Sequence, residues 1–225
     1  MPAVLLDLLP LILGGVFPLV PVTLVLLMLA SPRGLARGCA FVVGLTLTRL
    51  VQGLLFGAIL AESPEVKAAK GGQSPIVAVL LLVVGILLLL TAIHTWRKED
   101  DLEETPPKWV QTIEQISPVK ALGLGALLIA IGPKVWVFTL SALAIISAAE
   151  LSLAASIAAY VAYIILVQSL LILVVLVCAV APRAGSALLR AAIGWLTRYN
   201  RPISVVGALI FGAYFTWDGV TKLLT

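Results

Sequence analysis

Ala130-Ile131-Gly132-Pro133-Lys134-Val135-Trp136 sets a helix breaker beside a lysine in the middle of a long apolar run. The run covers residues 121–149, and a bilayer is crossed by about 20 apolar residues. Lys134 is therefore expected near mid-depth, where an ammonium costs at least ~2.5 kcal/mol. Pro133 removes one helical N–H and disfavours the α conformation at Gly132. Non-helical backbone at that depth is tolerated only inside protein or along a wet cavity. A break beside a buried cation reads as a binding site, against the blander reading of a proline kink with a snorkelling lysine.

Working outward, the same chemistry recurs. The chain is 61% hydrophobic and 12% charged, with mean hydropathy +1.16, which excludes an ordinary soluble domain. The apolar runs are continuous, not alternating, which excludes a β-barrel. The expectation is an all-α polytopic membrane protein, one transmembrane domain over 1–225. Six spans are predicted, at 5–30, 38–61, 75–96, 121–149, 152–180 and 203–224. The first contains Gly14-Gly15-Val16-Phe17-Pro18-Leu19-Val20-Pro21 and is predicted to be broken like the fourth. The N-terminus lacks a basic segment and reads as a retained span.

Charge sets the topology. The links after spans one, three and five carry ten basic residues: Arg33, Arg37, Arg97, Lys98, Lys108, Lys120, Arg183, Arg190, Arg198 and Arg201. The opposite side carries three, Lys67, Lys70 and Lys222. The richer side is predicted to be cytoplasmic, with both termini outside the cytoplasmic membrane. The net charge of +4 is thus topology information and gives no reason to expect nucleic acid. In the cytoplasmic linker, 98–117, Trp109, Ile113 and Ile116 repeat at helical spacing and suggest a short helix on the membrane. In 183–201 the four arginines fall within about 80° on a helical wheel, which predicts an interfacial amphipathic helix among membrane lipids that anchors and orients the protein or, as the alternative, recruits anionic lipid or substrate headgroups.

The two halves repeat. Leu50-Val51-Gln52-Gly53-Leu54-Leu55 recurs as Leu166-Val167-Gln168-Ser169-Leu170-Leu171 at an offset of 116. Pro18 pairs with Pro133 at offset 115, and Thr95-Trp96 with Thr216-Trp217 at 121. Three spans per half is odd, so the halves, 5–97 and 118–224, are predicted to be inverted. Inverted repeats with one broken helix each are a transporter layout, with the site where the breaks meet. Pro18, Pro21, Gly132 and Pro133 are the expected breaks.

Arg49 and Lys134 are the ionisable groups expected near mid-depth, and no acid is placed to pair with them. Two such cations in a dry core are costly, so a hydrated cavity for an anionic group is predicted. Thr46, Arg49 and Gln52 recur every third residue and share a helix face. Gln168, the repeat partner of Gln52, is a candidate donor from the other half, and Tyr160 and Tyr163, earlier on span five, are candidates to line the same cavity. For the glutamines and tyrosines, plain helix–helix hydrogen bonding is the preferred reading. One histidine, His94, and two distant cysteines, Cys39 and Cys178, form neither a metal site nor a redox pair. No nucleotide motif is present, so neither a cofactor nor an enzyme activity is expected. Asp218, Glu150 and Asp7 are only peripheral candidates for proton coupling. Gly14-Gly15 and Gly123-x-Gly125 are candidates for close helix packing within the chain or in a homodimer.

Phe17-Pro18-Leu19-Val20-Pro21, Ser31-Pro32-Arg33 and Gly132-Pro133-Lys134 resemble the lysine-exporter (LysE) superfamily, and within it the GAP family, also called Sap or sulfolipid-addressing proteins. Gly132 stands where the family usually has Asn. The resemblance implies six spans and movement of glycolipids or peptidoglycolipids towards the cell surface. The first motif is also similar to thiol-reductant conduits of the CcdA/DsbD type, but no cysteine lies at either break, so that redox role is excluded. Three functions are expected, in order. The first is a secondary exporter of an anionic or zwitterionic amphiphile or small metabolite, working by alternating access. The second is a non-transporting scaffold for envelope-lipid assembly. The third is an amino-acid exporter of the LysE type.

Overall fold

A computed structural model describes residues 2–16, 19–31, 33–62, 75–97 and 116–224. The described residues form nine helices and no strand. These are α1 (Pro2–Val16), α2 (Leu19–Ala30), α3 (Gly34–Glu62), α4 (Pro75–Arg97), α5 (Pro118–Ile131), α6 (Pro133–Ala148), α7 (Leu153–Val167), α8 (Ser169–Val180) and α9 (Pro182–Leu224).

Two stretches, Gly34–Gly57 in α3 and Ala78–Arg97 in α4, are long and apolar enough to cross a bilayer unbroken. Three further candidates are bent pairs: α1 with α2 at 62°, α5 with α6 at 70°, and α7 with α8 at 64°. Up to five spans thus meet the test among the described residues. The expected sixth span, 203–224, is the C-terminal part of α9. Large apolar side chains face outward along these helices, among them Leu54, Ile59, Leu153 and Val180, while Arg49, Gln52, Thr139, Ser141 and Gln168 are buried. That inversion is what lipid as solvent demands.

Two expectations change. Span five is not one helix, because it bends at Gln168. Nothing local foretold this, since the bend carries neither proline nor glycine. The basic segment 183–201 is not a separate helix. It runs on through Pro202 into the last helix as one 43-residue element. Part of its apolar side meets protein: Leu189 is buried with Leu26 of α2, and Val174 and Cys178 of α8 pack against the pair. The short helix expected around Trp109 and Ile113 lies outside the described residues.

The apolar core divides into two lobes. Lobe one holds Leu8 and Leu11 of α1, Leu81 and Leu88 of α4, Phe138 of α6, Tyr163 of α7 and Phe215 of α9. Lobe two holds Leu24 and Met28 of α2, Phe41 and Leu45 of α3, Ala121 and Ile129 of α5, and Leu171 and Val175 of α8. Every bent pair therefore gives one half-helix to each lobe. The unbroken α3 runs through both, since Phe56 packs on lobe one.

Within lobe two, α3 and α5 approach backbone to backbone. A Cβ on Gly44 of α3 would strike the Leu122 carbonyl of α5, and one on Gly125 would strike the Phe41 carbonyl. Small residues allow this contact where apolar surface alone supplies no drive between helices. Gly123, by contrast, faces open space. The turn from α2 to α3 closes through Ser31, whose hydroxyl donates to the Met28 carbonyl at 2.6 Å and accepts from Arg37 Nη1 at 2.8 Å.

Candidate functional site

The bends fall at the boundary between the lobes. α1 ends beside the other two breaks: a Cβ on Gly14 would lie 3.1 Å from the Phe138 ring, and one on Gly15 3.1 Å from Val167. Phe138 sits just under two turns beyond the Gly132 break, and Val167 immediately precedes Gln168. The three bends thus converge at one level. Pro18 lies outside the described residues, and of the Pro133 and Lys134 positions only the backbone is described.

At the second break Gly132 is extended, with φ −77° and ψ 102°, and caps α6 with no side-chain hydrogen bond. Pro133 has no N–H, so the α5 carbonyls just before it lose their helical donors. Trp136 replaces one of them: its indole Nε1–H donates to the Ala130 carbonyl at 2.7 Å. The same ring meets Phe56 of α3 edge-on, with centroids 5.2 Å apart. The first α6 turn is closed by the Trp136 N–H on the Gly132 carbonyl at 3.1 Å. Lys134 thus has its backbone in the first turn of α6, at the level where the lobes meet. Pro21 stands in the first turn of α2, where a missing N–H is tolerated.

Arg49 lies on α3 at this level and is 7% exposed. It is held inside the protein, away from lipid. Its Nε and Nη1 have no hydrogen-bond partner among the described residues, and neither do both amide atoms of Gln52, one turn on and 4% exposed. The guanidinium acts electrostatically on Tyr160 and Tyr163 of α7.

Tyr160 is engaged with α3. Its hydroxyl donates to the Arg49 backbone carbonyl at 2.7 Å, and Gly53 makes this possible, because a Cβ there would fall on the Tyr160 ring. Tyr163 stacks on Tyr160 at 6.1 Å and donates to the Phe138 carbonyl at 3.3 Å. Sequence reasoning grouped the tyrosines with the cavity but missed Gly53, whose only signal was its place one residue after Gln52.

Thr46 and Gln168 meet across the helix interface. Gln168 Nε2 donates to Thr46 Oγ1 at 3.3 Å, and Thr46 in turn donates to the Val42 carbonyl at 2.8 Å. This contact ties α3 to the bend of the fifth span. Trp136, Thr139 and Ser141 were not foreseen at this level. The hydroxyls of Thr139 and Ser141 are buried without partners among the described residues. No group of three metal-ligating side chains occurs among those residues.

The arrangement offers buried donors from an arginine and an amide between two apolar lobes, flanked by three helix breaks. Such a set suits an oxyanion or a polar headgroup in a low-dielectric setting. A family model described as Sap, sulfolipid-1-addressing protein, matches residues 11–221. No curated protein and no solved structure matches the chain.

Proposed function

The chain belongs to the Sap, sulfolipid-1-addressing protein, family, and on that premise we propose that it is a secondary exporter of the cytoplasmic membrane. Its cargo is an anionic or zwitterionic amphiphile such as a glycolipid, in keeping with the sulfolipid that the family description names, or a small metabolite of similar charge. The observation that carries this reading is Arg49: a buried guanidinium with two nitrogens unpartnered among the described residues, at the level where three broken spans change lobes. A cation with no acid beside it among those residues is costly to keep, and a bound oxyanion offsets that cost.

Alternating access follows from the lobes. Spans one and four pass between them in opposite senses, since α1 and α6 belong to lobe one and α2 and α5 to lobe two. This supports inverted halves of three spans each. Rocking one lobe against the other about the three bends exposes the Arg49 level to one side at a time. Arg33 and Arg37, at the turn from α2 to α3, adjoin lobe two, which supports a cytoplasmic placing for that end and external termini.

Replacing Arg49 and Lys134 with Gln, singly and together, and comparing surface lipids and exported metabolites of intact cells tests the reading. Loss of one anionic species from the exported fraction, with protein levels unchanged, is expected. Normal export by the double variant would instead favour the non-transporting scaffold.

A further inference from the structure

The first half of α9 is basic, and part of its apolar side packs inside the protein. A Cβ on Gly185 would lie 2.9 Å from Cys178 Cα, Leu189 is 6% exposed, and Ala192 packs beside it. By backbone register, positions 183, 190, 198 and 201 share an arc of about 80° lying roughly 160° round from the Gly185, Leu189 and Ala192 positions. Position 198 therefore lies on the side away from the core, and Arg198 is exposed there. On its flank Trp195 and Tyr199 are 56% and 41% exposed, with ring centroids 5.8 Å apart. Arg198 is exposed beside them, its guanidinium carbon 5.7 Å from the Tyr199 ring centre. Exposed Trp and Tyr beside an arginine mark headgroup depth. The surface also lies just before residue 203, where the expected last span begins in the same helix.

We propose that Trp195, Arg198 and Tyr199 form a docking surface for the phosphate headgroups of anionic membrane lipids, separate from the Arg49 level. The charge complementarity is direct, and each arginine near an anionic surface contributes enough for about a fivefold preference. The surface lies on the helix that Leu189 wedges against α2 and α8, two half-helices just beyond the bends.

The test is native mass spectrometry of the full chain released from nanodiscs of equal phosphatidylglycerol and phosphatidylcholine. The wild type is expected to retain phosphatidylglycerol preferentially. Arg198→Gln should lower that preference about fivefold, whereas Arg198→Lys, which keeps the charge, should preserve most of it. In an Arg49→Gln background, Arg198→Gln should lower the remaining preference by the same factor. Equal retention of the two lipids by the wild type overturns the proposal, as does an Arg198→Gln variant with undiminished preference. Loss of the preference in Arg49→Gln would put the lipid at the inner site and overturn it as well, without touching the export reading.

Discussion

The two copies of the Leu-Val-Gln motif behave differently. In α3 the copy at 50–55 stays helical, and Gln52 is buried with both amide atoms unpartnered among the described residues. In span five the copy at 166–171 bends by 64°, and Gln168 at the bend donates to Thr46 across the helix interface. Nearly the same six residues thus give a straight rod in one half and a hinge in the other. The difference lies in what each glutamine meets. Gln168 finds a hydroxyl on α3, while Gln52 is followed by Gly53, whose missing Cβ admits the Tyr160 ring. Local sequence allows either form, and the neighbours choose.

The largest expected effect follows from that notch. Gly53→Ala places a Cβ on the Tyr160 ring and breaks the fit to the Arg49 carbonyl. Overpacking of this kind costs about 1–3 kcal/mol, read as a fall in melting temperature of the protein in nanodiscs. The matching change in the other copy, Ser169→Ala, alters an exposed position and should stay within ~0.5 kcal/mol. Equal losses in the two variants would break the comparison.

Next come the glutamines. Gln168→Leu removes the link to Thr46 and should cost ~0.6 kcal/mol, up to about 1.7. Gln52→Leu removes two unpartnered buried polar atoms, so stability should hold or rise, yet export should fall if Gln52 helps Arg49 bind cargo. Melting curves beside export assays separate the two outcomes. A marked destabilisation by Gln52→Leu would show that its amide already has a structural partner.

The smallest effect sharpens the contact itself. Thr46→Val combined with Gln168→Leu in a double-mutant cycle should give a coupling of ~0.6 kcal/mol. A coupling near zero would leave the 64° bend without its side-chain explanation.

What the sequence made legible was local chemistry. Proline beside glycine marked the break at Gly132, and spacing of three put Thr46, Arg49 and Gln52 on one face of α3. The bend at Gln168 was hidden because its cause is a partner 122 residues away. The fate of the basic helix was hidden for a related reason. Periodicity reveals an apolar stripe but not whether lipid or protein covers it, and here Leu26 and Val174 cover part of it. Tyr160 was readable as a neighbour of Arg49. Its hold on the backbone carbonyl was not, because that depends on the space left by Gly53.

A positively charged, water-accessible level between the lobes is most directly tested by thiol modification. In a chain with Cys39→Ser and Cys178→Ser, Gln52→Cys puts one thiol beside Arg49. With Arg49 intact, a negatively charged methanethiosulfonate should modify it several-fold faster than a positively charged one of similar size. Failure of both reagents, or faster reaction with the cationic one, would contradict a hydrated anion site there.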